Sequence, residues 1–238
     1  MKRNYESPSS LKVYLDCPQK FAFKYRDKLP DPSGPAAILG TAFHEAAYAT
    51  WEAGTVDTTD ALPFMHDEQI MRMLKALYAH PEIKKLPRTF HCPPETSITY
   101  DYGTGKMKGI IDLCLTDGSV NDFKTSSKKW TEQKVRENFQ HLCYTWLARA
   151  ANISPATVFR YIVVTTGANP FVQVITIRVS QEFIDNYIQQ VKEITGYIDL
   201  DLFYPTPGQH CYYCPYKNVC PAFNQPQHVA RRIPLEQD

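Results

Sequence analysis

Apolar residues recur along this chain with two periods, and the change from one to the other divides it. In SSLKVYLDCPQKFAFKY (9–25), Leu11, Tyr14, Leu15 and Phe21 stand at helical intervals behind serine cap candidates, with Pro18 interrupting, so two short helical pieces are expected. PDPSGPA (30–36) is a loop by composition, and ILGTAFHEAAYATWEAG then predicts a helix ending near Gly54. HDEQIMRMLKALYAH (66–80) carries a one-sided apolar face, the helix of an insertion spanning about 52–90 that ends at the proline-rich HCPPE. Beyond it the period shortens. TSITYDY, KMKGIIDLCL and SVNDFK read as strands, TEQKVRENFQHLCYTWLARAA as a helix, and TVFRYIVVTT and FVQVITIRV as a strand pair around GANP. A last helix, SQEFIDNYIQQVKEITGYIDL, leads into a cysteine-rich segment at 205–224. Mixed α/β elements in 238 residues are most economically one domain, 1–238.

The strand-like stretch GIIDLCLTDGSVNDFK (109–124) carries two carboxylates and an amine across one hairpin. A three-residue loop at 116–118, with Gly118 accepting a left-handed conformation, pairs Leu115 with Ser119, Asp112 with Asp122 and Ile110 with Lys124. All three polar groups then share one face. A two-residue loop without a bulge would split them, and ordinary solvated charges on a surface hairpin remain the plain alternative.

Other residues give the hairpin company. His44 and Glu45 lie on the upstream helix, and Gln140 and Tyr144 stand at i, i+4 on the downstream one. The ordered set Gly40-x3-His44-Glu45, Gly109-Ile-Ile-Asp112, Asp122-Phe-Lys124 and Gln140-x3-Tyr144 resembles the PD-(D/E)XK nucleases in their RecB-like branch, over nearly the whole chain. Ile111 stands where the superfamily name has proline, an apolar form common among RecB-like members. The resemblance implies an α/β fold with a restriction-endonuclease-like core: a central mixed β-sheet flanked by helices, with a helical insertion and an iron–sulfur-bound C-terminal segment.

Phosphodiester hydrolysis needs an activated water and stabilisation of developing negative charge, which hard cations held by carboxylates supply. Asp112 and Asp122 are the natural ligands, since facing carboxylates repel until a cation or proton lies between them. By resemblance, His44 and the Phe123 carbonyl join them around Mg²⁺ or Mn²⁺, Lys124 orients the water, and Gln140 and Tyr144 hold nucleic acid or brace the site. A nitrogen ligand tilts preference toward Mn²⁺. Glu95 is an acidic candidate kept outside the metal's immediate ligands. Lys128, Lys129 and Trp130 follow the catalytic lysine, where they could touch phosphates and stack on a base, or form a solvated loop with one core tryptophan. Arg231-Arg232 reads as tail.

Cys211, Cys214 and Cys220 form C-x2-C-x5-C, and Cys17 is the nearest fourth ligand by motif. Spacing alone leaves zinc and iron–sulfur open. A lone early cysteine plus this late trio resembles the iron–sulfur RecB-like nucleases, including the AddB nuclease domain and the small CRISPR-associated exonucleases, and so implies a structural [4Fe-4S] cluster. Cys92, Cys114 and Cys143 read as small buried apolar residues. With 26 Lys and Arg against 25 Asp and Glu, a nucleic-acid surface must be a local groove. No stretch approaches 18 apolar residues and MKRNYESPSS lacks an apolar run, so a cytoplasmic protein without membrane contact is expected. The function implied is a metal-dependent exonuclease on single-stranded DNA ends, running 5′ to 3′, with protein partners in recombination, CRISPR or phage systems. Two other readings stay open: a noncatalytic nucleic-acid-binding subunit, and a zinc-stabilised interaction module.

Overall fold

The computed structural model describes residues 4–32, 34–57 and 59–224, so Arg231 and Arg232 lie outside the described residues. Helix α1 (Pro8–Asp16) opens on a reciprocal Ser7–Ser10 capping box. Helix α2 (Pro18–Phe21) restarts at a proline, whose missing N–H costs nothing in a first turn, and runs on into a π-helical turn at Ala22–Arg26. The same property lets α3 (Pro35–Trp51) begin at Pro35, inside the stretch expected to be loop. The 52–90 stretch holds a 3-10 turn at Thr59–Phe64, α4 (Glu68–Ala79) capped by Asp67, and α5 (Pro81–Lys84). Ile70, Met73, Leu74 and Leu77 of α4 are buried, packed with Phe43 and Ala47 of α3.

Seven strands follow among the described residues: β1 (Phe90–Cys92), β2 (Thr96–Asp101), β3 (Lys106–Ile111), β4 (Leu113–Leu115), β5 (Val120–Ser126), β6 (Val158–Thr165) and β7 (Val172–Arg178). The main sheet has the order β1-β4-β5-β6-β7 and is mixed, with β5 and β6 parallel and the other neighbours antiparallel. A parallel pair needs a crossover. It runs through α6 (Glu132–Arg136) and α7 (Gln140–Ala150), where one continuous helix was expected. The break falls at Asn138, whose side chain accepts from the Gln140 N–H at 3.1 Å and so starts a new helix. After β7 come α8 (Gln181–Asp199), capped by Ser180, and, past two 3-10 turns, α9 (Pro221–Asn224).

Alternate residues of β6 feed opposite faces of the sheet. Phe159, Tyr161 and Val163 pack under α7 and α8, while Ile162 and Val164 join Phe123 under α3 and α4. The core is thus two layers with the sheet between them.

One correction bears directly on function. KMKGIIDLCL is not a single strand: it bends at Asp112, so that β3 pairs with β2 in a separate two-stranded sheet and only β4 continues beside β5. Ile110 therefore faces Ser97 rather than Lys124. Helix α7 crosses β3 at Gly109, where a Cβ would come within 2.6 Å of Leu147 Cδ1 and 3.0 Å of Tyr144 Cε1. That close crossing separates β3 from the main sheet. The edge strand β1 was not foreseen either; it is three residues long, too short for a period to register.

Candidate active site

The hairpin turn is the three-residue form. Gly118 sits at φ +78°, its N–H donates to Leu115 O at 2.9 Å, and Leu115 N–H donates to Ser119 O at 3.0 Å. Leu113 pairs with Asn121, so extending the register by one position brings Asp112 level with Asp122.

The bend at Asp112 then creates the site. Past Asn121, β5 has β6 on one side and, among the described residues, no ladder partner on the other. Phe123 turns its N–H and C=O toward that open edge, and side chains take the place of a strand. Asp112 Oδ2 accepts from Phe123 N–H at 2.7 Å. The Phe123 carbonyl lies within hydrogen-bonding reach of the His44 ring, and His44 Nδ1 is 3.4 Å from Asp112 Oδ2. On the same helix, Tyr48 stands one turn on: its hydroxyl is 3.0 Å from His44 Nδ1 and lies near enough to the Asp112 carboxylate to oppose the rise of its pKa. Sequence reading missed Tyr48, although its i, i+4 spacing from His44 was available as a signal.

Asp112 is 7% exposed and Asp122 1%. Burial pushes each carboxyl up to about 6, the Lys124 ammonium opposing the rise in both cases. The Asp112 charge adds to the rise at Asp122. Lys124 Nζ lies 2.6 Å from Asp122 Oδ2, which is buried and takes no well-aligned hydrogen bond. Burial, reinforced by Lys124, lowers the pKa of His44 and favours the neutral imidazole that a metal requires. No three His, Cys, Asp or Glu side chains among the described residues are already drawn tightly enough together to hold a metal ion. The donors nonetheless fit a hard divalent cation: two mutually repelling buried carboxylates, one oxygen short of a donor, beside an imidazole and a backbone carbonyl.

Other expected residues take varied positions. Gln140 Nε2 donates to the Tyr144 hydroxyl at 3.0 Å, and Tyr144 is buried where the charges of Asp122 and Asp112 raise its pKa after burial itself. Glu95 is exposed, yet its charge acts on His44, Tyr48 and Asp112. Its backbone is left-handed, φ +55°, and its N–H donates to Asp112 O at 3.2 Å. Glu45 points to solvent. Lys128 and Lys129 are exposed, but Trp130 is 7% exposed, packed at a tilt against Tyr161 and tied by its backbone to Gln173, so its ring is core and not offered to a base. The exposed aromatic there is Phe171, with Lys129 Nζ 3.6 Å from its centroid. It lies across Thr165, which pairs with Ser126 two residues beyond Lys124.

Cys17, Cys211, Cys214 and Cys220 line one cavity, together with Phe23 and Phe223. All four are free thiols. Cys17 is buried between α1 and α2, Cys211 lies in the 3-10 turn Gln209–Tyr213, and Cys214 and Cys220 follow the ends of that turn and of the next, Lys217–Val219. Backbone and ring contacts hold the two ends of the chain together independently: Gln19 N–H donates to Tyr204 O at 3.0 Å, Tyr14 donates to Leu202 O at 2.8 Å, and Phe21 stacks on Phe203. Cys211 Sγ accepts from Gly208 N–H at 3.4 Å. Of the other cysteines, Cys114 and Cys143 are buried and Cys92 half-buried.

The family model of the PD-(D/E)XK nuclease superfamily matches residues 6–221. Among solved structures, the fold is similar to that of a Eubacterium rectale protein named "Putative exonuclease", at 15% identity and TM-score 0.59, covering 89% of this chain and 87% of that one. It is also similar to SSO0001, at 16% identity and TM-score 0.57, covering 93% and 88%. No curated protein matches the chain. No helix among the described residues is long and apolar enough to cross a membrane.

Proposed function

The chain belongs to the PD-(D/E)XK nuclease superfamily, and from that premise we propose that it is a divalent-cation-dependent deoxyribonuclease of the RecB-like kind, an exonuclease acting 5′ to 3′ on single-stranded ends. The observation that carries this reading is the open edge of β5, where Asp112, Asp122, His44, Lys124 and the Phe123 carbonyl meet. Asp112, Asp122, His44 and that carbonyl would hold Mg²⁺ or Mn²⁺, which when bound supplies an acidified water and neutralises charge on the phosphate. Once Asp122 no longer needs its ammonium partner, Lys124 is free to orient the attacking water and stabilise the developing charge. Gln140 and Tyr144, bonded to one another beneath the aspartates, brace the floor of the site. Lys128 and Lys129 contact phosphates, and Phe171 takes the stacking role that Trp130 is too buried to play.

The thiols of Cys17, Cys211, Cys214 and Cys220 fit a [4Fe-4S] cluster, four sulfurs around an apolar cavity joining the two ends of the chain. Bound there, the cluster supplies a cross-link and no hydrolytic chemistry. A noncatalytic subunit would have no need for buried, mutually repelling carboxylates, which are costly to keep without a cation to serve. The single domain, its 52–90 helical insertion and a cytoplasmic setting with recombination or CRISPR-type partners complete the proposal.

The test uses end-labelled single and double strands, each end blocked in turn, with Mg²⁺, Mn²⁺ or chelator. Cation-dependent release of nucleotides from an unblocked 5′ end of single strands is expected. Equal loss of label with chelator present, or no cleavage of any strand by protein purified without oxygen, overturns the reading.

A further inference from the structure

We infer that the outer face of the β2–β3 ribbon is a wall of the substrate groove, with Lys108 holding a backbone phosphate and Ile110 packing on the nucleoside beside the bond that is cut. The inference rests on the nuclease reading above and deepens it by naming where the strand lies next to Asp112.

Residues directly opposite in an antiparallel ladder share a face, and faces alternate along each strand. On the inner face of the ribbon, Ile98, Met107 and Ile111 are buried in the core with Leu147, and Tyr144 and Leu147 leave no room for a Cβ at Gly109. The ribbon is thus fixed against α7. Its outer face carries the pairs Asp101–Lys106, Thr99–Lys108 and Ser97–Ile110, all exposed except the half-buried Lys108. The ladder runs one position further, since Glu95 N–H donates to Asp112 O at 3.2 Å, and Asp112 therefore follows Ile110 in this row. The row ends on the carboxylate expected to hold the cation. Lys108 faces Thr99, and its Nζ lies 5.1 Å from the centroid of the Tyr5 ring, which keeps the ammonium in place with one side open. Four residues separate it from Asp112, about 13 Å along a strand. Midway stands Ile110, 46% exposed. Ammonium, apolar group and cation site in one line match the order of phosphate, nucleoside and scissile phosphate along a nucleic-acid strand. Covering a sugar or base removes the Ile110 side chain from water. Lys106 contributes less, because Asp101 faces it.

Binding of a labelled single-stranded oligodeoxynucleotide to the whole protein is followed by fluorescence anisotropy across a salt series, with Ca²⁺ in place of Mg²⁺ and the label checked to remain uncut. Lys108→Gln should reduce the slope of log affinity against log salt by about 0.7, the single-strand value for one phosphate. Ile110→Ser should weaken binding roughly fivefold, about 1 kcal/mol for a half-exposed aliphatic side chain, and leave the slope unchanged. Lys75→Gln, on the exposed side of α4, should change neither. Mn²⁺ affinity should match the wild type in all three variants, which separates loss of the strand from damage to the cation site. A wild-type salt slope in Lys108→Gln, an equal loss of slope in Lys75→Gln, or a folded Ile110→Ser that binds as tightly as the wild type overturns the inference and leaves the nuclease reading standing. Should Ile110→Ser fail to fold, the slope of Lys108→Gln decides alone. If the wild type binds neither single nor double strands at low salt, the nuclease reading itself fails and this inference falls with it.

Discussion

The open edge of β5 and the cysteine cavity are both candidate metal centres, and they are built in opposite ways. At the edge, the protein already answers part of each charge: Lys124 sits on Asp122, the Phe123 amide on Asp112, and the Tyr48 hydroxyl on His44. The donors come from a strand and a helix anchored in the core. In the cavity, the thiols are free, three of them ride on or just past short 3-10 turns, and the surrounding contacts are backbone bonds and rings. Buried carboxylates must be balanced even in an empty site, whereas neutral thiols can wait. A cation at the edge therefore changes chemistry with little change in shape, while a cluster in the cavity acts on shape alone.

The sharpest way to break that contrast is to remove the edge carboxylates. Asp112→Ala or Asp122→Ala should lower cleavage at least about a thousandfold, several kcal/mol of transition-state stabilisation, with the circular dichroism spectrum unchanged. Measurable wild-type turnover in either variant, with contaminating nuclease excluded, would defeat the assignment.

Cysteine variants should do the reverse. Cys17→Ser or Cys214→Ser should bleach the brown colour of anaerobically purified protein and melt about 10 °C lower, several kcal/mol at roughly 2–4 °C each. Cys143→Ala should keep its iron. Stoichiometric zinc in place of iron would instead favour a zinc-stapled tail, leaving the edge site untouched.

Gly109→Ala probes the bend on which the edge depends. Its Cβ would meet Leu147 at 2.6 Å, so urea unfolding should show about 1–3 kcal/mol of lost stability, and the displaced Tyr144 should slow cleavage in proportion. A variant as stable as the wild type would mean that α7 is not what separates β3 from the main sheet.

The smallest effect is electrostatic. Burial raises Asp112 and Asp122 to about 6 in the fold, above the ordinary value of 3.8, so without metal they oppose folding when ionised. Their penalty is fully present above pH 6 and is relieved as pH falls toward 4, the reverse of an ordinary salt-bridged carboxylate. With chelator, the wild type should therefore gain thermal stability relative to an Asp112→Asn, Asp122→Asn double variant between pH 8 and pH 5. Mn²⁺ affinity should fall across the same window, because protons then compete for both carboxylates. A stability difference between wild type and double variant that stays flat across that range would show that burial does not raise these groups.

The hairpin was legible because its determinants are local: Gly118 dictates the turn, the turn dictates the register, and period two does the rest. The amphipathic face of α4 was legible for the same reason. The bend at Asp112 was not, because it depends on α7 crossing Gly109, a contact between segments far apart in the chain. The two readings of Trp130, base stacking or core, stayed undecided by the same blindness: its neighbours in sequence are lysines, while its neighbours in space include Tyr161 and Gln173. Tyr48 was hidden by company rather than distance, one phenol among the alanines of α3.

The side-chain cap on Phe123 has one more consequence. A strand edge with unanswered amides invites other chains to add to the sheet and aggregate. Here an incoming strand would have to displace a carboxylate, a stronger acceptor than any peptide carbonyl it could offer, from the Phe123 N–H. The residues expected to cut nucleic acid thus also obstruct the addition of a strand along this stretch of β5.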